Sequence, residues 1–80
     1  MDALALSEKL RETYENAGRN EATSQVILYG IKYAEELQAC GKPLREIVFD
    51  SGISKGYLSE LGKGVKLSKY VTIREGKKNG

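Results

Sequence analysis

Apolar residues near the start of the chain recur at every fourth position: Leu6, Leu10 and Tyr14, flanked by Leu4, Thr13 and Ala17. Glu8, Glu12 and Glu15 lie off that stripe. The spacing predicts an amphipathic helix from Ala3 to Asn16, since residues three and four apart share one face. Gly18 ends it, because glycine enters the left-handed conformation of a helix stop without a Cβ penalty. After a polar connection over 19–22, a second helix is expected, capped by Thr23 or Ser24 and running to about Cys40, with Gly41 at its stop. Val26, Ile27, Leu28, Ile31, Tyr33, Ala34, Leu37 and Cys40 give it two adjacent apolar stripes. A face that wide marks a central core helix or one turned to a second subunit. Gly30, in its middle, costs about 1 kcal/mol against alanine. Either another backbone approaches closely there, or the cost is tolerated.

The next stretch, LREIVFDSGISKGYLSELGK from Leu44 to Lys63, is cut into shorter pieces. Pro43 suits the first turn of a third helix, where its missing N–H is no loss. That helix, Leu44 to Ser51, points Ile47 and Val48 inward. Gly52 then turns the chain through positive φ. Ser54 is placed to cap a fourth helix from Lys55 to about Leu61, with Leu58 and Leu61 inward. Gly62 and Gly64 stand on either side of Lys63 and end it. Two short helices joined by a glycine turn are the layout of a helix-turn-helix. Ile47, Val48, Ile53, Leu58 and Leu61 supply the apolar crossing, while Lys55, Ser59, Glu60 and Lys63 keep the outer face polar. Beyond it the period changes, and Tyr70-Val71-Thr72-Ile73-Arg74 reads as a short strand. A lone strand is unstable. It is expected to pair with Val65 to Leu67, or, as the preferred expectation, with its twin across a two-fold. Residues 76–80 are expected to be a flexible tail on a single domain over 1–75.

The Gly52-Ile53-Ser54 turn and the Tyr57-Leu58-Ser59 run resemble the helix-turn-helix of phage-repressor-type DNA-binding domains, over about a quarter of the chain. The wider order, GIKYAEEL ahead of it and KYVTI behind, resembles small bacterial proteins described only as helix-turn-helix-like. The repressor resemblance implies roles for particular residues. Arg45, in the first turn of the leading helix, would grip a phosphate; Ser54 and Lys55 would lie nearest the bases. Ser59, Glu60 and Lys63 would follow along the exposed face, with Tyr57 offering its hydroxyl to a phosphate. Lysine and serine read base edges, and glutamate accepts from cytosine. Lys66 and Lys69 would flank the helix as backbone contacts, which add affinity but no sequence information. Against the repressor pattern, Val48 is bulkier than the usual alanine and Ser51 is polar where an apolar residue is usual. Gly56 weakens the second helix, and Glu60 carries the wrong charge for a phosphate.

Charge sharpens this picture. The net charge is +2, but residues 1–40 hold four Lys/Arg against seven Asp/Glu, and residues 41–80 hold nine against four. A basic second half over the helix-turn-helix suggests an anionic partner. Hydrophobic content of 40% supports one small folded domain among the 80 residues. With no histidine and one cysteine, His-dependent triads, Cys/His pairs and ordinary zinc sites are excluded. Gly62-Lys63 lacks the spacing of a phosphate-binding loop, and no dinucleotide fingerprint occurs. The expectation is therefore a non-enzyme without metal, cofactor or small-molecule substrate. Cys40, alone, fits a reducing compartment. No apolar run approaches a bilayer span, and the first residues lack a basic leader, so a cytoplasmic location is expected.

The sequence thus predicts a mainly α fold: four helices, a helix-turn-helix in the second half and a short C-terminal β-strand. The function expected is DNA binding, as a transcriptional regulator, with helix 54–62 in the major groove of double-stranded DNA. A homodimer is expected through the second helix or the strand 70–74. The alternative is a protein-interaction module of the same fold that binds no DNA.

Overall fold

The computed structural model describes residues 1–74, which form five helices and no strand. The tail expected over 76–80 lies outside the described residues. Helix α1 (Ala3–Glu15) is capped by Asp2, whose carboxylate accepts the Ala5 N–H at 2.8 Å. It buries Leu6, Ser7 and Leu10. Helix α2 (Ala22–Lys32) buries Val26, Tyr29 and Gly30, and α3 (Ala34–Ala39) buries Ala34 and Leu37. Helix α4 (Leu44–Ser51) follows Pro43, which sits extended just before the first turn, and buries its own Ile47, Val48 and Ser51. Helix α5 (Tyr57–Leu67) buries Leu61 and Gly64.

One apolar core joins all five helices: Leu6, Leu10, Val26, Tyr29, Leu37, Ile47, Val48 and Leu61. The Tyr29 hydroxyl is not wasted there, since it donates to the Leu6 carbonyl at 2.7 Å. Its ring lies 4.9 Å from that of Tyr33. Both rings, one helical turn apart on an apolar stretch, therefore serve packing. Burial holds the Tyr29 phenol above its ordinary range, because the phenolate would lose its water.

The principal contact in the fold is the crossing of α2 and α5. A Cβ placed on Gly30 would come within 2.7 Å of the Leu61 carbonyl oxygen and 3.0 Å of the Gly64 Cα. A Cβ on Gly64 would collide with the Ile27 carbonyl. The two helices thus meet backbone to backbone, and only glycine at both positions permits it. Gly30 is explained by close approach, one of the two readings its sequence position allowed. The wide apolar face of α2 is explained as well: α5 and α1 cover it within the chain.

Several expectations are corrected. The first helix ends at Glu15, with Asn16 as its C-cap, and Gly18 does not take the left-handed conformation. The second helix is interrupted at Tyr33, whose φ of −107° and ψ of 18° leave the helical range; Gly30, Ile31 and Tyr33 are weak helix formers clustered at the bend. Neither Thr23 nor Ser24 caps α2, which begins earlier, after a turn through Asn20 in left-handed conformation and the Glu21 N–H bond to Gly18. The last helix starts at Tyr57 rather than Lys55 and runs through Gly62 and Gly64 to Leu67. Packing on α2 outweighs the propensity cost of both glycines. Finally, the strand over 70–74 does not form: Tyr70 closes a turn after α5, and residues 71–74 have no regular structure. Its proposed partner within the chain, Val65 to Leu67, is helical, so the chain itself offers that stretch no edge.

Candidate nucleic-acid interface

Helix α4 ends at Gly52, whose φ of +82° puts it in the left-handed region, and its N–H returns to the Phe49 carbonyl at 3.1 Å. Ser51, polar at an otherwise apolar position, is fully satisfied. Its hydroxyl donates to the Val48 carbonyl at 2.6 Å and accepts the Ile53 N–H at 3.3 Å. The buried hydroxyl therefore clips the two sides of the turn together. Arg11 supports it from α1, donating from Nη1 to the Ser51 carbonyl at 3.4 Å. A cation suits that helix C-terminus. Arg11 lies 40 residues away in the chain, and no local signal marks it for this role.

The segment from Ser54 to Gly56 is a turn that leads into α5. Ser54 is not the N-cap of the helix. Its hydroxyl accepts the Gly56 N–H at 3.2 Å, and its carbonyl accepts the Tyr57 N–H at 3.0 Å. Gly56, which weakens a helix, falls in this turn instead of inside α5. Ser54 and Lys55 are both exposed at the entry to the helix.

On α5 the inward stripe is Leu58, Leu61 and Val65, and the outward one is Ser59, Lys63 and Lys66. The latter positions, four and three residues apart, share one face. Gly62 lies beside them, with nothing within 4 Å of where its Cβ would be. Lys69 follows in the turn after the helix and is also exposed. Among the described residues no acid pairs with Arg45, Lys55, Lys66 or Lys69. Lys63 differs, since its ammonium lies 3.4 Å from the Glu60 carboxylate. Glu60 is half-buried and turned toward that lysine. Tyr57 is half-buried too, its ring packed edge-on against Tyr14 with centroids 5.4 Å apart.

Of the nine residues singled out in the sequence, the structure thus brings Ser59, Lys63 and Lys66 onto one helix face. Ser54 and Lys55 stand at its entry and Lys69 at its exit. Arg45 is exposed in the first turn of α4. Tyr57 and Glu60 stand apart, committed to contacts within the fold. One prominent residue escaped the sequence reading: Phe49 on α4 is 82% exposed. Its position was legible, since it lies four residues after exposed Arg45 and on the opposite side of the helix from Ile47.

Among the described residues no helix is long and apolar enough to cross a membrane, and no group of side chains is arranged to hold a metal ion. No curated protein and no solved structure matches the chain. The family model of an HTH-like domain does match, over residues 3–74, which takes in all five helices and the glycine turn. The chain therefore belongs to the HTH-like domain family.

Proposed function

We propose that this protein is an intracellular DNA-binding protein acting in transcription regulation, with α5 laid in the major groove of double-stranded DNA. The observation that carries the reading is the outward face of α5. Ser59, Lys63 and Lys66 have no part in the core, and the close crossing with α2 at Gly30 and Gly64 fixes the helix that carries them. A helix about 10–12 Å across suits a groove about 12 Å wide. Lys66, Lys69 and Arg45 meet phosphates, while Ser54, Lys55, Ser59 and Lys63 face base edges. Lys63 must exchange Glu60 for DNA to do so, a small loss for an exposed pair. Paired half-sites would need two copies, and exposed Leu28 is the apolar residue of α2 left to join them.

The test is fluorescence anisotropy with a mixed-sequence duplex at low salt. Lys63→Glu with Lys66→Glu reverses two charges on the face without touching the core. The expected result is a loss of about tenfold or more in affinity, with an unchanged circular dichroism spectrum. Unchanged affinity in a folded variant removes α5 from the interface.

A further inference from the structure

Phe49 is the most exposed large apolar side chain of the described residues, at 82%, and DNA binding does not account for it. Counterion release rewards cations, and a duplex keeps its bases stacked, so a phenyl ring at the backbone gains little. The ring instead forms one wall of an open groove of about 560 Å³, lined also by Arg45, Glu46, Gly52, Ile53 and Lys55. Half-buried Ile53 gives it an apolar floor, and Gly52, without a side chain, leaves that floor open. Its rim is basic. Arg45 and Lys55 have no acidic partner among the described residues, while the Glu46 carboxylate lies 3.6 Å from the Lys42 ammonium.

We infer that this groove docks an acidic protein segment carrying one apolar anchor. The anchor side chain packs on Phe49 and Ile53, and flanking carboxylates meet Arg45 and Lys55. Aromatic and arginine side chains are the residues that carry binding energy at protein interfaces, and the groove combines both. Arg45 and Phe49 lie one helical turn apart on α4, so one extended or helical segment spans both. The inference does not rest on DNA binding.

The experiment is a selection of random dodecapeptides displayed on phage against the full chain, with Phe49→Ser protein as the counter-target. Phe49 contributes little to the core, so the variant is expected to fold. Circular dichroism checks this. The expected peptides are rich in Asp and Glu around a single Leu, Ile, Phe or Trp. The best of them, made synthetically, should lose about tenfold or more in affinity for Phe49→Ser. Its amide shifts should gather on Arg45, Phe49, Ile53 and Lys55. Several results overturn the inference: no enrichment over the counter-target, selected peptides without acidic residues, or equal affinity for the variant. So does tight binding of single-stranded oligothymidylate that Phe49→Ser abolishes, which would make the ring a base-stacking platform. Self-association lost with Phe49→Ser would assign the groove to a second copy and overturn it too. Duplex affinity, measured on the same proteins, should stay within about twofold for Phe49→Ser, because phosphate contacts carry that term. Loss of duplex binding in Lys63→Glu/Lys66→Glu with peptide binding intact shows that the groove, though it shares Arg45 and Lys55 with the DNA face, binds its segment without the outward face of α5.

Discussion

Gly62 and Gly64 lie two residues apart in α5, and alanine at the two should shift stability in opposite directions. Each substitution gains about 0.8–1.0 kcal/mol of helix propensity. At Gly62 nothing lies within 4 Å of the new Cβ, so the gain stands and the variant should be about 1 kcal/mol more stable. At Gly64 the new Cβ falls on the Ile27 carbonyl and 2.9 Å from the Gly30 Cα. Both obstacles are backbone, so no rotamer relieves them and the helices must part. Parting by roughly 0.5–1 Å forfeits a quarter to a half of the dispersion energy of each contact along the seam. Overpacking of this kind costs about 1–3 kcal/mol, and the rigid obstruction argues for the upper end. Less the propensity gain, Gly64→Ala should lose about 2 kcal/mol, and the two variants should differ by about 3. Urea unfolding followed by circular dichroism reads this directly. With an m-value of about 1–2 kcal/mol/M, the Gly64→Ala midpoint should fall by roughly 1–2 M. A Gly64→Ala midpoint at or above wild type would refute the backbone crossing.

Two further outcomes follow from buried polar groups. The Ser7 hydroxyl is buried with no hydrogen-bond partner among the described residues, so Ser7→Ala should raise stability by about 1 kcal/mol in the same urea assay. For Tyr29 the folded pKa is raised above the ordinary 10.0 of the unfolded chain, so above that pH the native state holds the proton more tightly. Its contribution to stability is therefore complete below about pH 10 and is lost as pH rises beyond it. Tyr29→Phe should remove that alkaline fall while costing about 1 kcal/mol at neutral pH for the bond to Leu6, and midpoints across alkaline pH check both.

What the sequence showed of this fold was its local grammar. The stripe of Leu6 and Leu10, the helix before Gly52, the positive φ at Gly52 and the inward pair Leu58 and Leu61 all follow from spacing or from one residue's conformational needs. The errors arise where a distant residue decides. Gly64 looks like a helix stop until Gly30, 34 positions earlier in the chain, is seen to need it in the crossing. Tyr70 to Arg74 has the composition of a strand, but a strand also needs an edge, and the stretch of this chain expected to supply one, Val65 to Leu67, was taken into α5. Ser51 looked like a defect at a buried position, and its hydroxyl proved to be the clip of the turn. For the candidate interface, the outward placement of Ser59 and Lys63 was legible from helical spacing, whereas Lys66 was expected to flank the helix and joins its outward face only because α5 runs on to Leu67. The inward commitment of Tyr57 was not legible, because its partner Tyr14 lies on α1.

The central claim is that α5 and its entry turn form a DNA-binding face. The most direct test is an amide NMR titration of the labelled protein with a mixed-sequence duplex of two helical turns, first at low and then at physiological salt. The account predicts shifts gathered on Ser54, Lys55, Ser59, Lys63 and Lys66, with Arg45 and Lys69 at the margins, all fading as salt is added. No shifts at low salt, or shifts spread over the acidic α1 instead, would contradict it.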